Sequence, residues 1–170
     1  LLVDYRLAPA HPYPAALEDC VAAYRWLLAQ GSAAQNIVIA GDSAGGNLTI
    51  TTLMKVRDSG GPLPAAAVCL SPVADMTARA GPDQGANDPL LHPRAMKLYH
   101  TSYLAGRNAR DPLISPAYGD WQGLPPLLVH AGEDEVLCDD ALRIEALARA
   151  AGDDVRVELY PRMWHVWQLF

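Results

Sequence analysis

Charge is scarce in this chain. Of 170 residues only 19% are Asp, Glu, Lys or Arg, and 13 basic residues face 19 acidic ones for a formal charge of −6. The arginines are scattered and form no basic stripe, which argues against nucleic-acid binding. Long apolar runs are missing as well. The longest stretches free of charged residues, Trp26–Gly41 and Ser59–Ala74, have 16 residues and are broken by Gly with Pro, Gln or Asn. A spanning helix needs about 20 continuous apolar residues, so no membrane span is expected. Cysteine is sparse: Cys20, Cys69 and Cys138 are odd in number, far apart and without CxxC spacing. They predict neither a disulfide framework nor a zinc set, but small buried side chains in a reducing compartment. No signal-peptide layout is visible, which favours a cytoplasmic protein. The chain opens at Leu1 inside an apolar run, and we expect segments upstream of it.

What is present is 51% hydrophobic residues over a length suited to one domain, or most of one. Short apolar runs alternate with helical patterns. Leu1–Tyr5, Ile37–Ala40, Ala66–Leu70, Leu127–Ala131 and Val155–Tyr160 read as strands by length and β-branched content. Tyr13–Gln30 spaces Leu17, Cys20, Val21, Tyr24 and Leu28 as a helix does, with Pro14 at its start and Gly31 just past its end. Ala44–Asp58 and Asp139–Ala151 read as two further helices, the latter capped by Asp139 or Asp140 and stopped by Gly152. Alternation of this kind predicts an α/β fold with a mostly parallel sheet covered by helices on both faces.

One segment breaks the rhythm. Ser71–Pro126 holds eight of the 14 prolines and is far longer than a simple crossover. It predicts a cap or substrate-pocket connection over the C-terminal edge of the strands, where α/β folds place ligands. Within it Pro93–Leu104 is helix-like, with Met96, Leu98, Tyr99 and Tyr103 to bury.

The chemistry starts directly after the strand Ile37–Ala40, where Gly41-Asp42-Ser43-Ala44-Gly45-Gly46 precedes a helix. This is G-x-S-x-G between strand and helix, the setting of a nucleophile elbow. By chance the pattern alone turns up in about one chain of this length in 20 to 30, so its placement carries the weight. Gly41 and Gly45 would let strand and helix approach while Ser43 holds a strained turn. A serine needs a base, and the base a carboxylate. Of His11, His92, His100, His130 and His165, the fold's loop after a late strand selects His165. The carboxylate belongs one strand earlier, in Gly132-Glu133-Asp134-Glu135, and physical chemistry alone leaves Glu133, Asp134 and Glu135 open.

Three longer motifs narrow the choice. Asp4-Tyr5-Arg6-Leu7-Ala8-Pro9, His11-Pro12-Tyr13-Pro14-Ala15-Ala16-Leu17-Glu18-Asp19 and the glycine-flanked serine closely resemble the bacterial hormone-sensitive-lipase family of α/β-hydrolase esterases. Ser115-Pro116, Gly123-Leu124-Pro125-Pro126, Gly132-Glu133-Asp134-Glu135 and Met163-Trp164-His165-Val166-Trp167 extend the resemblance over essentially residues 1–170. It implies Ser43 as nucleophile, Asp134 as the orienting carboxylate, His165 as base and the Ala44 N–H as an oxyanion donor. It also implies small carboxylic esters with short acyl chains as substrates, and no metal or cofactor. Two departures stand out: Ala10 replaces the family's usual Glu, and the upstream His-Gly-Gly-Gly oxyanion stretch is absent. Together with the stop at Phe170, this reads as part of a longer esterase. A peptidase of the same fold and a non-catalytic binding module are the competing readings; the first lacks a visible domain for admitting peptides, and the presence of His165 speaks against the second.

Overall fold

The computed structural model describes residues 1–77 and 87–170. Four parallel strands, β1 (Val38–Asp42), β2 (Ala66–Leu70), β3 (Leu127–Gly132) and β4 (Val155–Tyr160), form one sheet in the order β1-β2-β3-β4. The helices are α1 (Ala15–Ala29), α2 (Ala44–Asp58), α3 (Pro93–Leu104) and α4 (Cys138–Ala151). None of them is long and apolar enough to cross a membrane.

In-register pairing puts Ile39, Ala67, Val129 and Val157 on one face of the sheet. There α2 and α4 enclose the main core through Ile50, Leu53, Met54, Ala141, Ile144 and Ala148, around Cys69 and Val129, both fully buried. The alternate residues, Val38, Ala40, Val68, Leu70 and Leu128, lie on the opposite face and are exposed or half-buried among the described residues. The helical cover expected on both faces is thus described on one. A second cluster joins α1, through Leu17, Val21 and Tyr24, to Leu48 and Val56 of α2. No disulfide forms. Cys69 is buried and its thiol pushed up to about 12 by burial, while Cys20 and Cys138 are half-buried rather than buried.

Three expectations need correction. Leu1–Tyr5 is not a strand: no described strand lies beside the outer edge of β1, and Leu1 and Leu2 are exposed. The segment is tied to α1 instead, where Arg6 donates through Nε (2.9 Å) and Nη2 (2.8 Å) to the Asp19 carboxylate. On α3, Met96 is buried, but Leu98 and Tyr99, which border a cavity, are more than half exposed.

The third concerns α4. Its N-cap is Leu137, and neither Asp139 nor Asp140 caps it. Asp140 instead accepts backbone N–H bonds from Ala74 (2.8 Å) and Asp75 (3.3 Å), fastening the segment after β2 to α4. Burial pushes the Asp140 carboxyl up to about 6, against the two amide bonds that lower it. An unfolded aspartate titrates near 4. The proton is therefore held more tightly in the folded protein, and this contribution is full below about pH 4 and lost as pH rises through about 6. In urea unfolding, Asp140→Asn is expected to gain on the parent from pH 4 to pH 7. A constant gap between the two midpoints would contradict this.

Candidate active site

Ser43 sits between the last residue of β1 and the first of α2, at φ 51° and ψ −114°. A positive φ is costly for any residue with a Cβ, by about 1–3 kcal/mol, and persists only when the surroundings impose it. Here they do. Ser43 N–H donates to Leu70 O at 2.8 Å, and Ser43 O accepts from Asn47 N (3.2 Å) and Val73 N (3.3 Å). A Cβ at Gly41 would collide with the Gly45 carbonyl, so strand and helix meet only over glycine. Gly45 itself has open space where its Cβ would be. The second tight approach falls on Gly46, whose Cβ would meet Pro72 Cβ at 2.8 Å. Ala44, the first residue of α2, is exposed on the wall of the adjoining cavity. Its N–H belongs to the first helical turn, which lacks i−4 acceptors, at the positive end of the helix dipole.

The ring of His165 arrives from the loop after β4. Its Nε2 lies 2.9 Å from Ser43 Oγ, across 122 positions of chain, and the residue is 5% exposed. The loop lies on the end of β3. A Cβ at Gly132 would strike the Met163 carbonyl, and that same carbonyl accepts the Asp134 N–H at 3.1 Å.

The resemblance points to Asp134 as the acid, but the structure brings a different carboxylate to the ring. Glu135 Oε2 is 3.7 Å from His165 Nδ1, and Glu135 is 1% exposed, whereas Asp134 is half-exposed and makes no such approach. The turn after β3 rotates the three consecutive acids in different directions, and the one leading into buried Val136 and Leu137 points inward. At 3.7 Å the pair is not hydrogen-bonded, and neither His165 Nδ1 nor Glu135 Oε1 has a hydrogen-bond partner among the described residues.

A cavity of about 680 Å³ opens over Ser43. Its walls are mostly apolar and include Leu48, Val73, Met76, Leu91, Met96 and Tyr99. His100 also borders it, buried and with neither ring nitrogen paired among the described residues; burial holds its pKa below the ordinary histidine value. Of the remaining histidines, His130 pairs with Glu158 at 3.2 Å and His92 caps α3 by accepting from Arg94 N–H at 3.1 Å. Among the described residues no three His, Cys, Asp or Glu side chains are grouped to hold a metal ion.

A strand–serine–helix elbow on a parallel sheet, with a histidine from a later loop at its hydroxyl, defines a class of fold. The chain belongs to the α/β-hydrolase fold family, whose pattern matches residues 1–169. It is 47% identical to an acetyl-hydrolase of Streptomyces hygroscopicus over 172 residues, covering 100% of this chain and 58% of that protein. The crystal structure of an esterase from the bacterial hormone-sensitive lipase family superposes with a TM-score of 0.94 at 49% identity, covering 97% of this chain and 56% of that one. A hormone-sensitive lipase from a metagenome library gives 0.95 at 43% identity, covering 98% and 57%. The chain thus spans a little over half the length of these relatives.

Proposed function

We propose that the whole protein is a serine carboxylesterase that hydrolyses short-chain carboxylic esters through an acyl-serine intermediate. The observation that carries this reading is the 2.9 Å approach of His165 Nε2 to Ser43 Oγ at the mouth of an apolar cavity. In this mechanism His165 takes the Ser43 proton as the oxygen attacks the ester carbonyl. Glu135, closing on Nδ1–H, fixes the tautomer and balances the imidazolium. The Ala44 N–H, helped by the α2 dipole, stabilises the tetrahedral oxyanion; one such donor is worth about 10²- to 10³-fold in rate. His165 returns the proton to the departing alcohol. Water, deprotonated by the same ring, then attacks the acyl-serine, and the acid leaves. The names of the acetyl-hydrolase and esterase relatives support ester substrates and a small acyl group.

Turnover of p-nitrophenyl acetate and of a peptide p-nitroanilide, compared on one preparation of the whole protein, tests the reading. Ester cleavage is expected, with no measurable peptide cleavage. Preferential peptide cleavage, or no turnover of any ester, would overturn it.

A further inference from the structure

Ser71 follows β2 directly and takes no part in the chemistry above. It is fully buried, and its side chain joins the two elements on which the His165 ring depends. The Ser71 hydroxyl donates to Glu135 Oε2 at 2.6 Å. The same oxygen accepts the N–H of Val166, the residue after His165, at 3.1 Å. Ser71 is itself tied down: its N–H donates to His130 O at 2.7 Å, so the hydroxyl is anchored to the end of the sheet.

The backbone adds a second observation. Ser71 has φ 49°, a region where glycine would sit without strain. Backbone geometry alone therefore does not account for a serine at this position, whereas both hydrogen bonds of its hydroxyl do. Without them, Glu135 Oε2 and the Val166 N–H would each lose the hydrogen-bond partner it has among the described residues. The carboxylate oxygen that Ser71 holds is the one facing His165 Nδ1.

We propose that Ser71 is a positioning residue for the base: its hydroxyl fixes the Glu135 carboxylate against the His165 ring and pins the loop that carries that ring. The proposal rests on the esterase reading. A residue that orients a reactive pair changes turnover more than substrate binding, because the geometry it sets matters most in the transition state. It also acts only through its partner, which a double-mutant cycle detects.

The test compares Ser71→Ala, Ser71→Gly, Glu135→Gln and the double variant Ser71→Ala/Glu135→Gln in the whole protein, with a p-nitrophenyl ester. Ser71→Ala is expected to lower kcat by about 10- to 100-fold, the range for residues that orient a reactive group through another side chain, with KM nearly unchanged. Ser71→Gly should do the same while relieving the backbone, so a folding defect in the alanine variant leaves the question open to measurement. In the Glu135→Gln background, Ser71→Ala should change kcat by less than about three-fold. Parental kcat in Ser71→Gly overturns the proposal, as does a full additional loss in the double variant. If Glu135→Gln alone keeps parental kcat, the acid assignment falls together with this proposal; if Glu135→Gln is damaging and the Ser71 variants are silent, only the proposal falls.

Discussion

Glu135→Gln is expected to lower kcat on a short-chain ester by about 10³- to 10⁴-fold, whereas Asp134→Asn should stay within about three-fold of the parent. Glutamine keeps the size of glutamate and loses its charge. It leaves the imidazolium unbalanced and can present its amide N–H to Nδ1, favouring the wrong tautomer. Asp134 is half-exposed and does not approach the ring, so removing its charge alters only a local, solvent-screened field. The reverse outcome, a silent Glu135→Gln and a damaging Asp134→Asn, would mean that the turn after β3 rearranges on substrate binding and that the motif-based choice of Asp134 is right. Steady-state kinetics of the two variants on one substrate decides the matter.

Ser43→Ala and His165→Ala are each expected to reduce kcat by about 10⁴- to 10⁶-fold, and the double variant should be no slower than the worse single one. The pair works as one unit. Once the hydroxyl is gone the ring has no proton to take, and without the ring the hydroxyl stays protonated at neutral pH. The residual rate would come from the Ala44 N–H and binding alone. Additive losses would show that the two residues serve separate steps, which the 2.9 Å contact between them gives no reason to expect.

The sequence made much of this arrangement legible, for identifiable reasons. Ala66–Leu70, Val155–Tyr160, Ala44–Asp58 and Pro93–Leu104 are found where apolar patterning and punctuation place them. Ser43 was readable because glycine spacing and a strand-to-helix setting coincide there. His165 followed from the order of elements. What could not be read depends on contacts between distant segments. Leu1–Tyr5 has the composition of a strand, but a strand exists only beside a partner, and composition does not reveal the partner. Asp140 has the position of a cap, and its bonds go to Ala74 and Asp75, 66 and 65 residues away. Among Glu133, Asp134 and Glu135 the difference is one of rotation within a turn. The available signal was weak: Glu135 is the acid directly followed by the apolar pair Val136-Leu137, and so the one drawn inward. Ser71 gave no sign at all, because its role requires Glu135 and Val166 to be brought together from 64 and 95 residues away.

The central claim is that Ser43 is the activated nucleophile, and a fluorophosphonate probe tests it most directly. After incubation of the whole protein with the probe and digestion, mass spectrometry should find a single phosphonylated peptide, the one containing Ser43, and the label should vanish in His165→Ala. Labelling at another serine, undiminished labelling in His165→Ala, or no label in protein shown to be folded would contradict it.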